Sequence, residues 1–227
     1  MTDGIYAKCW VREDDNVFLY KTGSSRYEVE PLSEFLAARL AAKLCPNYKD
    51  YYLDFYRGKL VSKYRLFTSK ERGLAKAAAI FGEKRSVPVI LAYFEKLGSG
   101  NDFRRMCVLD ALIFNPDRHY GNFGILFDTE TMAPISMCPV FDHNRSLFPD
   151  LDQDQLEHPN WYIEKCKPMI GKDFLINARG LMTPEIRSGL KNLLGFRFLQ
   201  HDHIKAHQER LDALSAIVNH QIKAIIA

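Results

Sequence analysis

The sequence has little of what marks several protein classes. None of its 227 residues belong to an apolar run of about 18, the length that would cross a bilayer as a helix. No basic leader followed by an apolar stretch opens the chain, so neither secretion nor a membrane span is expected. The 5 cysteines, Cys9, Cys45, Cys107, Cys138 and Cys166, are odd in number and scattered, with no C-x-x-C pair. That pattern suits reduced thiols in the cytoplasm. Neither sign of charge is in excess: 31 Lys and Arg stand against 28 Asp and Glu, a formal net charge of +3. Such a balance gives no signal for nucleic acid or for an anionic membrane as a partner. Internal repeats and low-complexity tracts are missing as well.

What the chain does have is a 47% hydrophobic content, enough for one sizeable core or two small lobes sharing a cleft. Residues 5–11 and 16–21 are β-like runs around the turn REDDN. PLSEFLAARLAAKL then changes to helical period, with Leu32, Leu36, Leu40 and Leu44 on one stripe and Ser33 as a candidate cap. YYLDFY and KLVSKYRLF read as a second hairpin around Arg57-Gly58. Beyond about residue 68 the character changes. GLAKAAAIF, VPVILAYFEKL and DFRRMCVLDALIF read as helices. A further hairpin, FGILFD and PISMCPVF, turns at TETMA, and a loop from Asp142 to about Asn160 follows. Residues 207–226 form a last helix, with Leu211, Leu214, Val218, Ile222 and Ile225 on one face. The expectation is an α+β protein of two lobes. Residues 1–68 would form a small sheet-rich lobe and residues 69–227 a larger helical one, with a ligand cleft at the joint near Phe67 and Thr68.

The stretch LDALIFNPDRHYGNFGIL, residues 109–126, sets polar side chains between two apolar arms. Pro116 ends the preceding helix, because proline keeps its predecessor out of the helical region. PDRHYGN is then a loop held between two core elements. The hairpin after it folds back, so Asn122 at its start should return beside Asp142 just past its end, near Asp117. One carboxylate and one amide oxygen suit a hard cation such as Mg²⁺. A second carboxylate, off the metal, can orient or deprotonate a hydroxyl. Lys21 closes the strand NVFLYK, where it can reach nucleotide phosphates, and Glu34 on the next helix can pair with it.

DRHYGN followed by FDH, with Lys21 and Glu34 upstream, resembles the HipA-like kinases, bacterial members of the protein-kinase-like superfamily. The resemblance runs from Gly4 to the final helix. It implies a two-lobed protein-kinase-like fold and Ser/Thr kinase activity. ATP and Mg²⁺ would be the cofactors. Asp117 would be the catalytic carboxylate, Asn122 and Asp142 the metal ligands, and Lys21 the cation on the phosphates. In TDGIYAKCW, Gly4 and Lys8 resemble the phosphate-covering loop. The implied partners are ATP, a protein substrate with a Ser or Thr hydroxyl and a regulatory protein, as in a toxin–antitoxin pair.

Several residues carry two readings. His119 either takes part in the chemistry or steadies its loop by hydrogen bonding to backbone. Arg118 either binds a phosphate or pairs with an acid. Phe67 either packs on adenine or belongs to the core. His203 and His207 stand four apart in HDHIKAH, which fits a solvated helix start better than a metal site. The acidic run PDLDQDQLE is a solvated loop or one that faces a basic substrate. Rival functions also share these residues. DRHYGN resembles the D-R-H-x-x-N motif of phosphatidylinositol kinases, and small-molecule phosphotransferases use the same logic. A pseudokinase that only binds nucleotide or a partner is argued for by the single glycine in residues 2–10. A metal-dependent phosphohydrolase would need a denser set of His and Asp.

Overall fold

The computed structural model describes residues 7–23, 28–82 and 84–227. β1 (Lys8–Glu13) and β2 (Asn16–Thr22) form a hairpin whose turn is Asp14-Asp15. α1 (Glu30–Leu44) follows, then β3 (Tyr52–Tyr56) and β4 (Lys59–Arg65). Arg57 and Gly58 both take positive φ, +51° and +76°, as a two-residue turn between right-twisted strands demands. The four strands pair antiparallel in the order β1-β2-β4-β3. Register places Lys21 of β2 between Lys8 on one neighbour and Ser62 on the other.

Helix α1 forms because alanine and leucine fill it, and its four leucines lie at or under 9% exposure. Each buried leucine is worth roughly 1.5–3 kcal/mol. The helix starts three residues ahead of the expected cap. Val29 is the N-cap residue and offers no side-chain bond, Pro31 sits in the first turn, and Ser33 is buried inside the helix. Proline's fixed φ suits the first turn, so the start needs no hydroxyl.

GLAKAAAIF is not one helix. β5 (Arg72–Lys76) is a strand, and α2 (Ala77–Phe81) is a single short helix after it. β5 pairs with β6 (Gly124–Asp128), which pairs in turn with β7 (Pro134–Met137). Two glycines explain the departure. A side chain at Gly73 would come within 2.4 Å of the Phe127 ring, and one at Gly124 within 2.1 Å of the Ala75 carbonyl oxygen. The close strand approach and its ladder of hydrogen bonds override alanine's preference for helix.

α3 (Val87–Lys96) and α4 (Gly100–Leu112) lie between β5 and β6 in sequence and pack on each other through Phe94 and Phe103. The segment after Asp142 holds a short helix, α5 (Gln153–Glu157), within the span read as loop. Asp152 and Gln155 close a reciprocal capping box there. α6 (Asn160–Lys165), α7 (Phe174–Gly180), α8 (Pro184–Asn192) and α9 (Gln208–Ile226) complete the chain. The five expected apolar positions of α9 are all buried. The principal core joins Leu36, Leu40 and Leu44 of α1 to α4, α8 and α9, so the sheet-rich part and the helical part share apolar packing.

Candidate active site

A cleft of about 740 Å³ lies between the four-stranded sheet and the β5-β6 region. Lys8, Lys21, Phe67, Asp117, His119, Asn122 and Asp142 all line it. Glu34 stands behind Lys21, fully buried. Gly4 lies outside the described residues.

Lys21 is 5% exposed, and its ammonium donates to Glu34 Oε1 at 2.7 Å and to Asp142 Oδ1 at 2.8 Å. Burial works against its charge, but Asp142 and Glu34 outweigh burial and raise its pKa. Lys21 therefore stays cationic. Burial alone would push Asp142 up. The Lys21 charge and hydrogen bond override it and hold this carboxyl below its usual range. Glu34 is pushed up by burial, and Lys21 offsets this only in part. The Ser62 hydroxyl donates to Glu34 Oε2, and the His143 backbone N–H reaches Glu34 Oε1 at 3.3 Å. Asp142 takes a left-handed φ of +62°, and its N–H donates to the Tyr51 hydroxyl at 2.9 Å. Its backbone is thus fixed before any ligand arrives.

The loop between α4 and β6 is held from inside. Phe114, with φ +49°, turns the chain out of α4 ahead of Pro116. Asn115 donates to Asp110 Oδ1 at 3.0 Å and accepts the Asp117 N–H at 3.1 Å. Arg118 is 1% exposed. Its Nε and Nη2 donate to the two Asp110 oxygens, each at 3.0 Å, and Nη1 donates to the carbonyls of Asn122, at 2.9 Å, and Phe141. The second Nη2 hydrogen meets His143 Nδ1 at 3.2 Å. Arginine can only donate, so Nδ1 accepts and the His143 ring is neutral. Burial, with Arg118 adding, holds its pKa well below the usual histidine value. All five guanidinium donors are in use. Arg118 pairs with an acid and has no donor left for a phosphate.

Asp117 is half-buried at the cleft. Burial raises its pKa, and the Asp142 charge adds to the rise while His119 opposes it. His119 Nδ1 accepts the Gly121 N–H at 2.9 Å, and a side chain at Gly121 would come within 2.7 Å of the His119 ring. This backbone bond is the loop-steadying contact. Phe67 is half-buried in the cleft wall, stacked on Tyr64 at 6.2 Å and tilted against Phe141 at 5.5 Å. Its edge joins two small apolar clusters and also lines the cleft.

The donor set suits Mg²⁺. Asn122 uses its amide nitrogen on the Asp117 carbonyl at 2.9 Å, which fixes the amide, and its side-chain oxygen accepts no hydrogen bond among the described residues. Asp142 gives one oxygen to Lys21, and the other likewise accepts none among those residues. No group of three or more His, Cys, Asp or Glu among the described residues could hold a metal by itself. A cation at Asn122 and Asp142 would therefore share its ligands with phosphate and water, as Mg²⁺ commonly does. His201, His203 and His207 form no such group either. His201 Nδ1 instead accepts backbone N–H groups of His203 and Ile204, at 3.2 and 3.1 Å.

Tyr51, Ser62 and Asp110 do not stand out in the sequence, and Asn115 stands out only as one of the polar residues of the 109–126 stretch, yet all four orient the cleft residues. Asp110 had a signal: a carboxylate within the apolar run MCVLDALIF needs a buried partner. Ser62 and Tyr51 had none, because their contacts arise only from strand register and chain crossing.

Solved structures share this architecture. Neither the scan against protein-family models nor the search of curated proteins found a match. Among solved structures, the Helicobacter pylori proinflammatory kinase CtkA is similar over 96% of this chain and 91% of its own, with a TM-score of 0.71 at 18% identity. A chain of the Shewanella oneidensis MR-1 HipA–HipB toxin–antitoxin complex with its operator DNA is similar over 98% of this chain, with a TM-score of 0.57 at 12% identity. This chain spans 64% of that one. With its sheet-rich N-terminal part, helical C-terminal part and intervening cleft, the chain has the fold of the HipA-like kinases.

Proposed function

We propose that this protein is an ATP- and Mg²⁺-dependent kinase that moves the γ-phosphoryl group to a hydroxyl, with a protein Ser or Thr as acceptor. One observation carries the reading. A buried lysine is held between Glu34, at 2.7 Å, and Asp142, at 2.8 Å, in the wall of a cleft that also contains Asp117 and Asn122. Among the described residues two of the three Lys21 donors are engaged, so one remains for a phosphate oxygen. Asp142 and Asn122 would hold Mg²⁺, which would supply positive charge against the charge developing on the phosphates. Asp117 orients the acceptor hydroxyl and takes its proton, and its raised pKa brings it closer to the range of a useful base. The fixed backbone at Asp117 and Asp142 supplies positioning, which is most of what phosphoryl transfer asks of a protein. Likeness in fold to a bacterial kinase supports phosphoryl transfer, and likeness to a chain of a toxin–antitoxin complex supports a regulatory partner.

Linkage between binding and stability gives the test. MgATP at about 100 times its Kd should stabilise the protein by roughly 2.7 kcal/mol, read as a rise in Tm. Asp142→Ala should remove the part of the rise that depends on Mg²⁺. No rise with any nucleotide at millimolar levels rejects the reading.

A further inference from the structure

A second concavity lies away from the cleft, on the helical part. It measures about 790 Å³, with α5 and α6 on one side, α9 on the other and Leu175 of α7 also lining it. Leu156, Ile163 and Ile217 give it an apolar lining, and Phe114, three residues ahead of Asp117, also borders it. Ala213 and Ala216 leave the α9 wall shallow. Glu157, Glu209 and Asp212 also line the groove, and no Lys or Arg does. That is the reverse of the whole chain, whose formal net charge is +3. Glu157 and Asp212 accept hydrogen bonds from Gln153 and Gln208, each one helical turn away. None of the three acids has a cationic partner among the described residues.

We infer that this groove docks an amphipathic helical segment of a partner protein, apolar on one face and flanked by lysine or arginine. A helix laid in an apolar groove buries residues spaced three and four apart, and the acid rim selects cationic flanks while disfavouring acidic ones. The same rim opposes two copies of this face meeting, since like acids would be brought together. The inference does not depend on phosphoryl transfer, and its test needs no nucleotide.

Fluorescent peptides of about 14 residues, roughly four helical turns, serve as the probe, with leucine at three- and four-residue spacing and lysine between. A matched series carries glutamate in place of lysine. The lysine series should bind the whole chain at least about tenfold more tightly than the glutamate series, by anisotropy, and should weaken with added salt. Ala216→Trp fills the groove from an exposed position, and Glu209→Lys with Asp212→Lys reverses the rim. Each should weaken binding by about tenfold or more with the circular dichroism spectrum unchanged. Equal binding of the two series, absent binding of both, or variants that bind like the wild type would overturn the inference. So would a dimer, by sedimentation, that Ala216→Trp converts to monomer, because the occupant would then be a second copy.

Discussion

Lys21 and Arg118 are buried cations that grip the same short segment from different parts of the fold. Lys21, on β2, holds the Asp142 side chain, and Arg118, in the loop after α4, holds the Phe141 carbonyl. Both are nearly inaccessible, at 5% and 1% exposure, and both have carboxylate partners. They differ in how their donors are used. Every N–H of Arg118 is matched by an acceptor from α4, its own loop or the 141–143 segment. Lys21 lines the cleft with one N–H that has no hydrogen-bond acceptor among the described residues, and it links the sheet to the helical part through Asp142. Burial and pairing alone do not mark a functional cation. The count of unused donors, and whether they meet a cleft, separates one that can take a ligand from one that only holds the chain.

The comparison can be broken first at its structural side. Arg118→Met should be the most damaging change, costing about 3–5 kcal/mol because Asp110 is left buried without its cation and two carbonyls lose a donor. Urea unfolding reads this. A loss under 1 kcal/mol would mean that the guanidinium is not the clamp on the loop. Lys21→Met should cost about 2–4 kcal/mol at pH 7, somewhat less, because Ser62 and the His143 backbone N–H still donate to Glu34. It should also lose nucleotide-dependent stabilisation.

The Lys21 effect has a pH signature. In the wild type, Asp142 has a depressed pKa, so its contribution is present above the unfolded value, near 4, and is lost as pH falls through the lower folded value. In Lys21→Met, burial raises the Asp142 pKa against the smaller opposing pull of Arg118. The variant's penalty is then smallest below pH 4 and grows as pH rises through the raised value. The stability gap between the two proteins should therefore narrow between pH 7 and pH 4. A gap that stays constant over this window contradicts the assignment of the pair. The smallest effect belongs to Ser62→Ala, which removes one hydrogen bond to Glu34 and should cost roughly 1–3 kcal/mol. If transfer activity is unchanged while stability falls, Ser62 supports the fold and not the orientation of Glu34 toward Lys21.

Much of this site was legible as local pattern. Hairpin geometry alone brought Asn122 back toward Asp142, and strand-then-helix order set Glu34 within reach of Lys21. β-branched and aromatic runs gave both N-terminal hairpins, and leucine spacing gave α1 and α9. The failures have a common cause. β5 was hidden because Arg72–Lys76 has the composition of a helix, and only its β6 partner, with the small residues at Gly73 and Gly124, makes it a strand. Arg118 stayed open between phosphate and acid because its choice depends on Asp110, one helix away, and on carbonyls that no sequence pattern reports. Tyr51 and Ser62 went unnoticed for the same reason: their partners are fixed by tertiary register. Composition and spacing speak for contacts within an element or across one turn, and they fall silent where separate elements meet.

In the proposed reaction Asp117 acts on an acceptor hydroxyl while Lys21, Asn122 and Asp142 serve the nucleotide. The direct measurement is the rate at which γ-labelled ATP with Mg²⁺ labels the protein itself or a lysate, for the wild type and for Asp117→Asn. The substitution keeps the shape of the side chain and removes its charge. For this reaction both proteins should bind MgATP alike, the wild type should transfer label to Ser or Thr, and Asp117→Asn should be about 10²–10⁴-fold slower. Transfer by Asp117→Asn at the wild-type rate, or no transfer by a wild type that binds MgATP, would contradict it.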